Sequence, residues 1–315
     1  MKNPKLKFII LSIFSVLFYS ALILISDLEK FSHVWSVIIL EYIPIILGLH
    51  LFAHVIRVFR QKLFFKKLDI SLSFRNNFLL YFSGASLIMT PGGVGELLKS
   101  YLLKTNYGHS ISKTSSVILA EKYHNILSSV SLILILLLIQ SIFEVLILTL
   151  ILGVIILMAY IAVKKINIFL SLISKLPKKW ILTPLIDNSP TFCNSLNSLF
   201  HNRVFFTGLL FGISASLLDG LAFFIGFLAF GLDTSFIESA TFVMSSLTLG
   251  SLSFLPAGIG VTEISLLGFL TNHGVFLATA SALILFIRLS TSWYTTIIGI
   301  ISLKIFLRTK TNVQS

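Results

Sequence analysis

Two similar stretches decide the fold: residues 90–103 read TPGGVGELLKSYLL, and residues 255–270 read LPAGIGVTEISLLGFL. Each has a proline, any residue, a glycine, a β-branched residue and a second glycine, with a glutamate within the following turn. Glycine and proline both interrupt helices, so each motif predicts a sharp turn between two helical segments. The predicted turn residues are Pro91, Gly92, Gly93 and Gly95 in the first motif, and Pro256, Gly258 and Gly260 in the second.

The composition around these motifs is that of an integral membrane protein. Of the 315 residues, 56% are hydrophobic and only 11% are charged, whereas soluble domains carry about 25% charged residues. A soluble domain cannot bury this much apolar surface, so hydrocarbon is the expected solvent. The single cysteine, Cys193, excludes a disulfide framework. No separate soluble domain is visible, and residues 1–315 are predicted to form one membrane domain.

Six apolar runs are long enough to cross a bilayer, which takes about 20 residues per helix. They cover residues 8–26, 35–56, 113–143, 145–163, 204–231 and 275–303. The segments beside the two motifs are shorter, at 76–89 and 96–107, and at 236–254 and 263–272. We therefore predict an all-α polytopic membrane protein with about six transmembrane helices and two re-entrant helical hairpins.

Polar residues inside two segments predict what those segments face. Glu41 and Pro44 interrupt the second run, which indicates contact with protein rather than lipid at that level. The segment 236–254 is nearly long enough to cross, but its hydroxyl groups predict a polar interior instead. These hydroxyl residues include Ser245, Ser246, Thr248, Ser251 and Ser253.

The basic residues orient the chain, because cytoplasmic loops hold most Lys and Arg. With a cytoplasmic N-terminus and two re-entrant hairpins, all but three of the 24 basic residues fall inside; the exceptions are Lys30, Lys122 and Arg288. This topology assigns Arg57 and Arg60 to a cytoplasmic loop. It also explains the net charge of +12 without a nucleic-acid partner. We predict the cytoplasmic (inner) membrane, with both termini cytoplasmic.

The same topology makes the second half of the chain an inverted copy of the first. Residues 8–143 and 145–304 would be inverted-topology repeats whose hairpins enter from opposite sides. Such repeats are common in secondary transporters, where broken helices form a site at the repeat interface. Two basic amphipathic stretches, 59–68 and 164–180, are predicted to lie on the anionic inner leaflet.

Charged residues at membrane depth are costly and mark candidate functional sites. The candidate substrate-binding residues are Glu96, Lys99, Glu121, Lys122, Asn125, Glu263 and Arg288. A helix that begins after each turn could bind a phosphate at its N-terminus, or its glutamate could cap it. Lys99 could instead extend to the membrane surface, and Glu121 and Lys122 could form an internal ion pair. The expected partners of Arg288 are a lipid phosphate or Glu263.

Three other polar residues carry weaker signals. Asp219 is a lone acid inside an apolar run. His50 and His54 are four residues apart, as in a metal-binding pair, but the sequence shows no third ligand. We expect them to pack and to form hydrogen bonds, and we predict no metal or cofactor.

The motifs TPGGVGELLKSYLL, AEKYHN and LPAGIGVTEISLLGFL together resemble the flippase-like family that contains the transmembrane region of lysylphosphatidylglycerol synthases and its stand-alone relatives. The family pattern often reads P-G-R-x-G-E-x-x-R and E-R-x-x-D. Here Gly93 and Lys99 stand at the two arginines of the first pattern, and Lys122 and Asn125 at the arginine and aspartate of the second. The resemblance implies a lipid-translocating membrane domain with two re-entrant helices.

The expected function is movement of a phospholipid or lipid-linked substrate between the leaflets, with membrane lipids of anionic or lipid-linked head groups as partners. No soluble aminoacyl-transfer domain is present, so the chain is not expected to be an enzyme that makes the aminoacylated lipid. Two alternatives stay open. A membrane enzyme or accessory subunit acting on lipid-linked sugars should show converging acids or a metal set, and an ion-coupled solute transporter should seal its cavity from lipid.

Overall fold

The computed structural model describes residues 28–88, 90, 95–140 and 189–311, and the regular structure within these ranges is helical. The helices are α1 (Leu28–Ser36), α2 (Tyr42–Lys67), α3 (Phe74–Ala85), α4 (Leu98–Tyr107), α5 (Ile111–Gln140), α6 (Ser189–Leu199), α7 (Asn202–Ala229), α8 (Phe236–Leu252), α9 (Val261–Asn272), α10 (Leu277–Arg288) and α11 (Tyr294–Thr311). A π-helical turn, Leu289–Trp293, joins α10 to α11 into one continuous helix.

Four of the described helices are long and apolar enough to cross a membrane: α2, α5, α7 and the joined α10–α11. The last three coincide with the predicted runs 113–143, 204–231 and 275–303. The prediction of an all-α polytopic membrane protein is therefore confirmed. The runs predicted at 8–26 and 145–163 lie outside the described residues.

The run predicted at 35–56 is displaced, because α2 begins at Tyr42 and continues to Lys67. Pro44 lies in the first turn of α2, where its missing N–H breaks no hydrogen bond. Glu41 and Pro44 thus begin this helix rather than interrupt it. Two further expectations were wrong: residues 59–68 are the last turns of α2 and not a separate surface helix, and Arg57 and Arg60 lie within α2 rather than in a loop.

Both predicted hairpins have their two helical arms, α3 with α4 and α8 with α9, and the arms of each hairpin contact each other. Local signals set their ends. The side chain of Ser73 accepts a hydrogen bond from the N–H of Asn76 at the start of α3. Gly108, at φ +74°, ends α4. Helices α3, α4 and α9 have 12, 10 and 12 residues, or about 15–18 Å, so none of them crosses about 30 Å of hydrocarbon.

The hydroxyl groups of α8 have partners within their own helix, so they do not by themselves require the polar interior that the sequence predicts. Ser246, Thr248 and Ser251 each donate to the carbonyl four residues earlier in α8, at 2.7–2.9 Å. Ser253 donates to the carbonyl of Gly250 at 2.7 Å. A hydroxyl that is satisfied by its own helix can face apolar surroundings.

The contacts among helices α2–α5 have counterparts among helices α7–α11. Helix α2 packs along α7. Helix α3 packs against α11, and α8 packs against α5, so the first arm of each hairpin contacts the long helix of the other half. Within the halves, α4 contacts α5 and α9 contacts α10.

Two apolar clusters enclose a polar layer in the long helices. On α5, Val117 and Ala120 belong to one cluster, with Leu79 of α3 and Leu103 of α4. Further along α5, a second cluster holds side chains from α7, α8, α9 and α10. Its α5 members are Leu132, Ile133 and Leu136. The polar stretch 121–125, which contains the charged residues Glu121 and Lys122, lies between these clusters on α5 and within a helix long enough to cross a membrane.

Candidate functional site

Lys99 lies at the centre of a buried ionic cluster beside the first hairpin. Its Nζ contacts Glu121 Oε2 on α5 at 2.5 Å, and both side chains are 4% exposed. Nζ also donates to Oε1 of Gln61 on α2 at 3.3 Å. The amide of Gln61 donates in turn to Asn77 Oδ1 on α3 at 2.9 Å. Lys99 thus joins four helices and does not extend to the membrane surface.

Gly84 on α3 makes room for the Lys99 side chain. A Cβ at position 84 would stand 2.7 Å from Lys99 Cγ and 2.8 Å from its Cδ. Any larger residue would therefore displace the lysine stem from its path across α3. The ammonium group also lies 5.6 Å from the centre of the Tyr81 ring, within the range of cation–π attraction.

Glu96, at the start of the second arm, pairs with the helix that follows the hairpin. Its Oε1 accepts from Lys122 Nζ at 2.6 Å, and its Oε2 lies 3.9 Å from Lys99 Nζ. The Lys122 side chain is 38% exposed, so this pair lies at the edge of the cluster. Gly95, just before Glu96, donates its N–H to Thr90 Oγ1 at 2.6 Å. The turn residues Pro91, Gly92 and Gly93 lie outside the described residues.

The second hairpin has an equivalent ion pair that is far more deeply buried. Glu263 Oε1 accepts from Arg288 Nε at 2.6 Å, and the two side chains are 0% and 3% exposed. Oε2 of the same glutamate accepts the N–H of Gly260 at 2.7 Å and so caps α9. Both expectations for this glutamate, capping and pairing with Arg288, are met by one side chain. The π-helical turn begins directly after Arg288, and such turns are frequent at functional sites.

The backbone of the second turn is unusual over a short stretch. Pro256 opens a 3-10 turn, and Ala257 has a positive φ of +49°. Gly258 and Gly260 have φ values of +69° and +91°, which glycine adopts without the steric cost of a Cβ. A Cβ on Gly258 would also stand 2.8 Å from the Cα of Gly250 on α8. Gly258 is therefore needed both for the turn and for close packing of the arms, and Gly260 is needed for the turn.

A third polar group joins the two halves along the α2–α7 interface. Asp219 on α7 accepts from Arg57 Nη2 at 2.5 Å and contacts His50 Nδ1 at 2.8 Å. His54 contacts the Tyr81 hydroxyl and Thr295 Oγ1, both at 3.1 Å. The histidines form hydrogen bonds, as expected. Within the part of the chain that the structure describes, no three His, Cys, Asp or Glu side chains converge as they would around a metal.

Arg60 is the cation of this region that lacks a carboxylate partner in the described residues. Its Nη2 donates to Asn125 Oδ1 on α5 at 2.5 Å. The groups joined so far contain five cations, Arg57, Arg60, Lys99, Lys122 and Arg288, and four carboxylates, Glu96, Glu121, Asp219 and Glu263. With neutral histidines, this set carries one excess positive charge.

The structure thus brings the seven sequence-predicted candidates into two places. Five of them form the cluster beside the first hairpin: Glu96, Lys99, Glu121, Lys122 and Asn125. The other two, Glu263 and Arg288, pair beside the second hairpin. Whether these residues bind substrate remains a prediction.

Sequence reasoning missed the polar face of α2. His50, His54, Arg57 and Gln61 recur at helical spacing in an otherwise apolar segment, and this pattern marks one face of a helix. If residues 42–67 are taken as one helix, instead of a transmembrane run followed by a basic loop, these four residues predict a polar helix face that contacts other helices. Their partners lie on α3, α5 and α7 and cannot be read from spacing.

No individual curated protein matches the chain at a significant level. At the level of families, residues 11–299 match the lysylphosphatidylglycerol synthase TM region. This match covers nearly all of the 315 residues, including both hairpins and every charged contact described above. The chain therefore belongs to the lysylphosphatidylglycerol synthase TM region family, a family of membrane proteins related to lipid metabolism or transport.

Proposed function

We propose that this protein moves a phospholipid or lipid-linked substrate between the leaflets of the cytoplasmic membrane. The observation that carries the proposal is the buried ionic layer between two apolar clusters, with its excess positive charge. Ionisable side chains at membrane depth are costly and are retained where a polar group must pass. A lipid with a negatively charged head group would supply the missing charge while its acyl chains stay in hydrocarbon.

The arrangement of the two hairpins supports an alternating mechanism. In each half a glutamate at the start of the second arm pairs with a cation on the following long helix, Glu96 with Lys122 and Glu263 with Arg288. The reciprocal packing of α3 on α11 and of α8 on α5 matches a two-fold relation between the halves. We infer about six transmembrane helices and two re-entrant hairpins in an inverted repeat, with both termini cytoplasmic.

In this proposal the head group competes with the glutamates for their cations. The Glu96–Lys122 pair is partly exposed, whereas the Glu263–Arg288 pair is buried. In the described state, the ion pair of the first hairpin is accessible to a head group, and the ion pair of the second hairpin is not. Transport would require the opposite state, in which the second pair opens and the first closes.

The test is the lipid composition of each leaflet in cells with and without the protein. Wild type should change the distribution of one lipid class between the leaflets. Lys99→Gln should lose that effect, because the central cation of the cluster is gone. Lys104→Gln, an exposed lysine on the same helix, is the matched control and should behave as wild type.

Lys99→Gln leaves Glu121 without its cation, so expression must be compared as well. The double variant Lys99→Gln with Glu121→Gln removes both charges and should insert normally, yet still fail to redistribute lipid. Unchanged leaflet composition on removal of the wild-type protein would argue against the proposed function.

A further inference from the structure

Arg60 is a buried charge whose hydrogen bonds are incomplete. Its side chain lies on α2 and is 1% exposed. Nη2 donates to Asn125, but Nε and Nη1 have no hydrogen-bond partner among the described residues. A guanidinium stays protonated even when buried, and asparagine carries no charge. The described chain gives Arg60 no ion pair of its own, because Glu121, one turn away on α5, pairs with Lys99 through Oε2 and keeps Oε1 without a hydrogen-bond partner.

Three other cations of this set have a carboxylate partner in the described chain. Arg57 faces Asp219, Lys99 faces Glu121, and Arg288 faces Glu263, each at 2.5–2.6 Å. An uncompensated buried charge costs several kcal/mol unless a counter-charge binds. Arg288 Nη2 also lacks a hydrogen-bond partner, but Arg288 Nε is paired with Glu263. Arg60 is the member of this set that combines unused donors with no carboxylate partner in the described chain.

Arg60 lies where α2, α5 and α7 meet. On the α7 side it faces Gly212, since a Cβ at that position would stand 3.2 Å from Nη1. The backbone of α7 at Gly212 thus faces the free nitrogen, beside the Ser128 side chain of α5. On α5, Asn125 is one turn beyond Glu121, the partner of Lys99. Arg60 is therefore part of the same ionic layer as Lys99.

We propose that Arg60 is an anion subsite that a phosphodiester group completes. The phosphodiester oxygens would accept the unused N–H donors of the guanidinium, and Asn125 holds the side chain in place. The ionic layer has one excess positive charge, so a phosphodiester with one negative charge neutralises it. A phosphomonoester with two negative charges would leave one excess negative charge. This inference rests on the proposed function and narrows the substrate to lipids whose head group is a net-anionic phosphodiester.

The decisive variant is Asn125→Asp, which keeps the size and shape of the side chain but gives Arg60 a carboxylate. The internal carboxylate should then occupy the guanidinium and exclude the ligand. The phosphodiester then loses its charge-assisted hydrogen bonds to the guanidinium, and phosphatidylglycerol binding should weaken at least about tenfold. Arg60→Gln should weaken it similarly. Asn76→Asp, which adds the same charge at a half-buried residue bonded to Tyr107, should bind as wild type.

Binding is measured on the full chain in a neutral detergent, by native mass spectrometry and by the thermal stabilisation that each ligand gives. The ligands are phosphatidylglycerol, phosphatidic acid, a glucosyl diacylglycerol without phosphate, and soluble glycerophosphoglycerol. Phosphatidylglycerol should bind best, and the soluble head group weakly. Without ligand, Asn125→Asp should melt at a higher temperature than wild type, so its loss of binding cannot be ascribed to misfolding.

Several outcomes would overturn the subsite. One is unchanged phosphatidylglycerol binding in Asn125→Asp, and another is equal binding of the phosphate-free glycolipid by wild type. Equal protection by soluble glycerophosphoglycerol would assign the site to a soluble anion instead of a lipid. Binding that follows the expected pattern without any lipid translocation would support the subsite and contradict only the proposed function.

Discussion

The deeply buried ion pair of the second hairpin makes the sharpest stability prediction. Glu263→Gln removes the carboxylate and leaves Arg288 charged at 2–3% exposure. Removal of one partner from a buried pair costs about 3–5 kcal/mol. The amide oxygen of glutamine can still accept the N–H of Gly260, so most of this loss should come from the unpaired charge and not from the helix cap.

The equivalent glutamate of the first hairpin is the matched control. Glu96→Gln breaks a pair whose lysine, Lys122, is 38% exposed, and pairs of this kind contribute about 0.2–1 kcal/mol. The double variant Glu263→Gln with Arg288→Met removes both buried charges. It should recover most of the stability, because two neutral groups of similar size replace the pair.

Denaturant unfolding in one detergent, followed by tryptophan fluorescence, measures these differences. Glu263→Gln should lower the midpoint clearly, Glu96→Gln slightly, and the double variant less than the single Glu263→Gln. If Glu96→Gln destabilises the protein as much as Glu263→Gln, burial does not set the contribution of these ion pairs to stability. If Arg288→Met lowers the stability further when it is added to Glu263→Gln, the two charges are not paired.

Three other predictions follow from the topology, the second turn and the interface between the halves. In a background without the native cysteine, cysteines at Lys30 and Asp233 should react with an impermeant thiol reagent in intact cells and one at Lys62 should not; the reverse pattern would refute the inferred orientation. Gly260→Val should abolish lipid movement while the protein still inserts, because valine is strained at positive φ, and full activity in a transport assay would contradict this role. Asp219→Asn should lower the thermal midpoint, because it removes the carboxylate partner of the partly buried Arg57, a hydrogen bond to a charged group worth about 1.5–3 kcal/mol. An unchanged midpoint would show that this contact does not hold α2 to α7.

Much of the fold could be predicted because local sequence features mark where the helices begin and end. Proline and glycine in each motif mark the turns, and the helical arms beside them begin and end within four residues of the predicted bounds. Long apolar runs such as 113–143 and 204–231 became helices α5 and α7. These features depend on neighbouring residues alone, so a single sequence contains them.

The polar side of α2 could not be predicted in the same way. Arg57 and Arg60 follow an apolar run, and the positive-inside pattern places such residues in a loop. In the structure, their partners Asp219 and Asn125 are 162 and 65 residues away in the sequence. For Arg57 the carboxylate of Asp219 offsets the cost of burial, whereas Arg60 has only a neutral hydrogen-bond partner. Contacts between distant helices determine this outcome, and spacing along one segment does not reveal it.

The hydroxyl groups of α8 show a different limit. Ser246 and Thr248 indicated a polar environment, yet both donate to carbonyls of their own helix. A serine or threonine in a helix can be satisfied locally or by a cavity, and the residue type alone does not distinguish these cases. Charged residues were more informative, because Glu96, Lys99, Glu121 and Arg288 all formed contacts within the membrane-crossing part.

The central claim is that the protein carries a lipid head group across the bilayer, and reconstitution tests it most directly. Proteoliposomes with fluorescent phosphatidylglycerol in both leaflets are treated with a membrane-impermeant reductant, which quenches only the outer leaflet. The account predicts that wild-type protein exposes inner-leaflet lipid to quenching and that the double variant Lys99→Gln with Glu121→Gln, reconstituted at equal density, does not. Equal quenching in wild-type, variant and protein-free vesicles, for phosphatidylglycerol and for lipid-linked sugars alike, would contradict it.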